Sequence, residues 1–228
     1  MSETPESQIP GVYRRRIGDI VVTALSDGYV EAGYGLFGDI SAAEAEAALK
    51  AAFRPAPPRL PINAFLIHSA GRVALIDAGC GPDRGPTVGR VARHLAAAGI
   101  APAEIDTVIL THVHSDHSNG LTAADGTAEF AAAELVIAEE EYRHWHDDAA
   151  MARATPEIRE RNFLNGRFRL APYRDRMRFA AGEVFPGVSV VALPGHTPGH
   201  TGYLVASGGE SLLIWGDIVH DADLQIAR

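Results

Sequence analysis

Six consecutive positions, His112-Val113-His114-Ser115-Asp116-His117, bring three imidazoles and a carboxylate together one residue, Thr111, after the apolar run Val108-Ile109-Leu110. Neutral imidazole and carboxylate are the usual ligands of zinc and comparable borderline cations. In an extended segment His112 and His114 point the same way and can share one ion. Asp116 and His117 follow where the chain must turn, ahead of Asn119-Gly120. Imidazoles crowded in this way would repel one another once charged, and a cation between them removes the repulsion. The alternation suits two neighbouring ions better than one. A second set lies downstream, in Pro194-Gly195-His196-Thr197-Pro198-Gly199-His200 and in Gly216-Asp217. Alone, a loop histidine is usually solvated and a Gly-Asp pair is usually a turn, so His196 and Asp217 gain weight only beside the first cluster.

The elements that must position these groups are short. Strand-like runs occupy residues 20–25, 62–67, 73–76, 108–110, 135–138, 188–193, 203–205 and 212–215, most rich in Val, Ile and Leu and bounded by turn residues. Each candidate ligand sits where such a run gives way to a loop, the arrangement by which a rigid sheet presents groups to a cleft. Ser41 with Glu44 is a capping-box signature ahead of an alanine-rich helix, and residues 87–98 carry Val88, Val91, Ala92 and Leu95 on one helical face before Gly99. A third helix is expected from Glu139, with His144 and His146 on a solvated face, and Trp145, Phe163, Phe168 and Tyr173 are expected to wall the substrate pocket. His68 and His94 are read as surface residues and Cys80 as structural. The fold class is mixed α/β.

Residues 63–77 and 202–217 repeat one pattern, a hairpin whose second strand ends in an aspartate. The first hairpin is followed by a helix and then by the histidine loop. After Asp217 only 11 residues remain, so the second half is expected to lack about one helix and one strand.

At 228 residues, 46% hydrophobic and 21% charged, the chain has the make-up of one ordinary globular domain. Residues 1–10 are expected to be a disordered N-terminus and residues 11–228 the domain. A net charge of -9, with Arg14-Arg15-Arg16 as the one basic cluster, disfavours nucleic acid as a partner. No stretch approaches the roughly 20 apolar residues that a membrane helix needs. A single cysteine and no secretory signal favour the cytoplasm.

The run His112-X-His114-X-Asp116-His117 resembles the signature of the metallo-β-lactamase superfamily. Asp77-Ala78-Gly79, the loop from Gly195 to Thr201 and Gly216-Asp217 are similar to further motifs of that family, from about Gly11 to the C-terminus. Residues 23–28, 63–67 and 215–220 look most like the methyl parathion hydrolase and quorum-quenching lactonase branch. The resemblance implies a four-layer αβ/βα sandwich with two divalent ions in the cleft at the sheet edges, zinc first, with manganese, cobalt or iron as the other choices. His112, His114 and His196 would hold one ion, Asp116 and His117 the other, and Asp217 would bridge them. Asp77, His200 and His220 would support the ligands or touch the substrate. The family's second ion takes a further histidine well beyond the bridging aspartate, which this chain lacks. The family's lactonases place a tyrosine where His220 stands, which lowers the lactonase reading.

These residues together point to a hydrolase of a small ester, lactone or organophosphate ester. A hydroxide between the two ions would attack, and Asp116 would orient it and pass its proton to the leaving group. Two other readings stand beside this one. His112, His196 and Asp217 would suit a mononuclear iron dioxygenase on the same fold. A non-catalytic truncated domain would keep the ligands without a working site, with a homodimer to cover the exposed apolar surface.

Overall fold

The computed structural model describes residues 10–38, 40–82 and 85–226. The segment expected to be disordered, apart from Pro10, lies outside these residues. Two sheets face each other. The first follows the order β1 (Val12–Ile17), β2 (Ile20–Glu31), β3 (Arg59–Ser69), β4 (Arg72–Ile76), β5 (Thr107–Ile109), β6 (Glu134–Ile137) and β7 (Met177–Phe179). Its first four strands are antiparallel, and β4 to β7 run parallel. The second, antiparallel sheet holds β8 (Glu183–Phe185), β9 (Val188–Ala192), β10 (Thr201–Ser207) and β11 (Glu210–Ile214) in the order β11-β10-β9-β8. Both hairpins read from the sequence are present, as β3–β4 and β10–β11. Among the described residues β11 is an edge strand.

Alternation along the strands explains the layers. One face of the first sheet turns Ile20, Val22, Ile67, Ile76 and Ile109 toward Val188, Tyr203, Val205 and Ile214 of the second. Its other face turns Leu66, Leu75, Val108 and Leu135 toward the helices. These are α2 (Val91–Ala98), α4 (Glu139–Trp145), α5 (Asp148–Arg153) and α7 (Asn165–Leu170), joined by the short α6 (Pro156–Ile158) and a π-helical turn at Arg159–Leu164. The small α3 (Ser115–Ser118) lies inside the histidine loop. α1 (Ala42–Ala51) packs against α8 (Ala222–Gln225) through Leu49 and Leu224. The Ser41 and Glu44 capping box closes on the N-terminus of α1 as its spacing predicts.

Several expectations are corrected. The sequence pattern does not declare β1, because Arg14, Arg15 and Arg16 interrupt its apolar alternation. It is an edge strand, where charged side chains are tolerated and block further pairing. α2 begins at Val91 rather than Thr87, because the buried Asp27 carboxylate takes the Cys80, Gly89, Arg90 and Val91 amides and fixes the preceding turn as a loop. His94 is buried, 3% exposed, its ring between Ser26 O and the Gly11 amide. Trp145, Phe163 and Tyr173 sit in the core beneath the helices, and Phe168 lies exposed, so they do not wall the cleft.

Candidate metal centre

Parallel strands deliver their carboxyl ends to one edge of a sheet, so β4 and β5 bring Asp77 and the 111–117 loop together. Asp77 adopts φ +59, an uncommon conformation for a residue with a side chain. In that pose its two oxygens accept from the Thr111 amide and hydroxyl, both at 2.8 Å. It also lies 2.8 Å from His117 Nδ1. Hydrogen bonding at Nδ1 leaves His117 Nε2 to face the cleft. The loop from Pro194 to His200 leaves β9 on the opposite sheet, and Thr201 ties it across by donating to Thr111 O at 3.0 Å. Asp217 follows β11, placed by His200, whose Nε2 accepts the Asp217 amide at 2.9 Å while its Nδ1 donates to Leu193 O. A Cβ at position 216 would meet His200 Nε2 at 2.5 Å, and Gly216 has φ +58, so the turn into Asp217 requires glycine.

These elements bring the six expected ligands to one place. His114 Nδ1 lies 3.1 Å from His112 Nε2 and 2.9 Å from His196 Nε2. Nitrogens on one tetrahedral zinc stand about 3.3 Å apart at the usual bond length. Burial, followed by the charge of His117, drives the His112 pKa well below the usual imidazole value. Burial lowers His114 and His196 to about 4 despite their carboxylate neighbours. All three rings are therefore neutral at pH 7 with lone pairs converging. A proton can join only one pair at a time, whereas a cation satisfies all three, so the donor set fits a metal ion.

A second group forms around Asp217. One of its oxygens lies 3.3 Å from His117 Nε2, and the other lies 3.5 Å from His196 Nε2, 3.4 Å from His220 Nε2 and 3.9 Å from His112 Nε2. One carboxylate thus faces two donor sets. Asp116 Oδ2 lies 3.6 Å from His117 Nε2. Burial opposes charge on His117, but Asp217, Asp77 and Asp116 outweigh it and hold its pKa well above the ordinary value. Burial likewise opposes charge on Asp217, and the His117 cation overcomes it, leaving the carboxyl well below its usual range. The backbone of His220 is anchored by its amide to Gln225 Oε1 at 2.8 Å, in a turn that Arg54 locks through Asp221 and Asp223.

Two cavities open onto this cluster. One, of about 550 Å³, has an apolar wall of Leu60, Ile62, Phe65, Leu213 and Trp215 and reaches Asp116, His117 and Asp217. The other, of about 780 Å³, is the mouth above His114 and His196, with Cys80 and Arg161 at its sides. His144 and His146 take no part: His146 stacks on Tyr142 and His144 packs against Trp145. Sequence reading passed over Thr111, the partner of Asp77, and Glu141.

A family model described as "Metallo-beta-lactamase superfamily" matches residues 57–225. The solved structure of hydrolase AbOPH, of the beta lactamase superfamily, is 34% identical with a TM-score of 0.85, covering 94% of this chain and 76% of that one. AidC, a dizinc quorum-quenching lactonase solved with a product, is 24% identical with a TM-score of 0.81, covering 90% of this chain and 73% of that one; its likeness is one of fold. Acyl-coenzyme A thioesterase MBLAC2 of Gallus gallus is 28% identical over 170 residues, 71% of this chain. The chain spans 59% of that relative's length.

Proposed function

The chain belongs to the metallo-beta-lactamase superfamily, and from that premise we propose that it is a binuclear metal-dependent hydrolase of a small ester, lactone or organophosphate ester with an apolar acyl, alkyl or aryl part. The observation that carries this reading is Asp217, whose two oxygens face separate sets of donors. Two divalent ions, zinc first, would be held by His112, His114 and His196 on one side and by Asp116 and His117 on the other, with Asp217 between them. Bound there, they supply the charge that polarises a carbonyl or phosphoryl oxygen and lowers the pKa of water to about 7.

The protein's own groups do the rest. Asp116, whose side chain is 30% exposed and lines both cavities, accepts the proton of the attacking water and returns it to the leaving oxygen. Asp77 keeps His117 in the tautomer that turns Nε2 inward, and His200 keeps Asp217 in place. The apolar wall holds the hydrocarbon part of the substrate, and its hydrophobic lining favours substrates with little charge. His220 stands at the rim of both cavities, where its ring N–H can meet the substrate's polarised oxygen.

The iron dioxygenase reading loses support from His114, whose Nδ1 lies between His112 and His196 and adds a third imidazole where that chemistry uses two and a carboxylate. The test is turnover of lactones, aryl esters, acyl thioesters and phosphotriesters by zinc-loaded protein and by Asp116→Asn. The proposal expects hydrolysis of an uncharged ester, lactone or phosphotriester and a loss of about 10²–10⁴-fold in kcat for the variant. Near-normal kcat in Asp116→Asn overturns its role. Turnover of thioesters alone overturns the substrate class.

A further inference from the structure

Glu141 has no part in the chemistry above, yet its carboxylate is fully buried, 0% exposed. Burying a carboxylate is costly unless its lone pairs are met. Here four donors meet them. Oε1 accepts from the Val113 amide at 2.9 Å and Trp145 Nε1 at 2.6 Å. Oε2 accepts from the Thr197 hydroxyl at 2.6 Å and the Gly199 amide at 3.1 Å. Val113 stands between His112 and His114, and Thr197 follows His196. One side chain on α4 therefore grips both histidine loops, one with each oxygen.

The packing around this grip is closed. A Cβ at Gly199 would lie 2.1 Å from the Glu141 amide, and one at Gly166 would lie 2.6 Å from Val113 Cγ1. The loop at Gly199 cannot move toward α4 nor the loop at Val113 toward α7, and the hydrogen bonds to Glu141 keep both from moving away from it. The loops arise from different sheets, joined at Thr201 and Thr111 behind the histidines, and Glu141 adds a second tie beside His114 and His196 that limits the sliding of one loop past the other.

We propose that Glu141 is a positioning residue that fixes the separation of the two histidine loops and thereby sets the cation affinity of His112, His114 and His196. The inference rests on the metal-centre reading above. In Glu141→Gln one oxygen becomes an NH₂ group, which must face the donors of one loop whichever way the amide turns, so that loop is released. Thr197→Val removes a single donor from the His196 loop and keeps the side-chain shape. Trp145→Phe removes a partner of Glu141 that belongs to neither loop.

The experiment titrates the metal-free protein and these variants with zinc against a chromophoric chelator, and records the cobalt(II) absorption of each. Glu141→Gln should weaken the tighter zinc site by about 10–100-fold and shift the cobalt bands, Thr197→Val should move both the same way by less, and Trp145→Phe should stay within about twofold while lowering the thermal midpoint. If Glu141→Gln does not fold, Thr197→Val carries the test. Zinc affinity and cobalt bands equal to the unsubstituted protein's in both loop variants would overturn the proposal. An equal loss in Trp145→Phe would overturn it too, because the effect would then be one of packing. Absence of zinc binding by the unsubstituted protein would instead overturn the metal-centre reading on which it rests.

Discussion

His114 and His196 owe their lowered pKa values to burial, and His117 owes its raised value to the three carboxylates around it. The metal-free protein should therefore show a stability maximum in pH. Below about 6.5 the unfolded chain protonates its histidines, whereas the folded chain leaves His112, His114 and His196 neutral, so the unfolded state binds more protons and stability falls as the pH drops toward 4. Above 6.5 the folded chain keeps a proton on His117 that the unfolded chain has lost, so stability falls as the pH rises through the His117 value. Urea midpoints from pH 4.5 to 9 would test this, and a flat profile would contradict the assigned charges. These residues also differ in how plainly the sequence declared them. Four candidate ligands stand within six positions and carry their own chemical logic, while His196 and Asp217 become readable only through motif resemblance, because a single imidazole or carboxylate in a loop has many ordinary uses. Glu141 was hidden for a physical reason: it follows Glu139 and Glu140, which are exposed, and helical periodicity alone turns it inward.

The strands and helices act as brackets for these side chains, and the bracket most open to test is Asp27 on β2. Its carboxylate accepts four backbone amides from the segment that leads from Cys80, beside the cleft, to the start of α2. Asp27→Asn places an NH₂ group against two of those donors. The expected loss is about 2–3 kcal/mol in urea unfolding, in the range for a buried hydrogen-bonded group left unmatched. A loss below about 0.5 kcal/mol would mean that the loop is held by packing alone. The strand pattern was legible because alternating and continuous apolar runs distinguish faces, and the hairpins at 63–77 and 202–217 were legible because an aspartate ends each. The arginine run of β1 and the three-residue strands β7 and β8 were not, since neither offers a period long enough to read. His94 reads as a surface residue in the sequence because its partners, Ser26 and Gly11, lie more than sixty residues away.

Across the molecule, the donors come from both sheets, with His112, His114, Asp116 and His117 beyond β5 and His196 and Asp217 beyond β9 and β11. Bound cations would pin the two layers together at their open edge. Zinc at about 1,000 times its dissociation constant should then stabilise the fold by about 4 kcal/mol. In a chain of this length that corresponds to a thermal midpoint raised by about 8–16 °C. A chelator should reverse the shift, and an unchanged midpoint on metal removal would mean that no ion bridges the layers. The sharpest test of the proposed binuclear centre is the metal content per chain, by elemental mass spectrometry on protein purified without added metal. The arrangement around Asp217 predicts about two zinc or similar divalent ions per chain. One iron, or no metal that survives purification and none taken up afterwards, would contradict it.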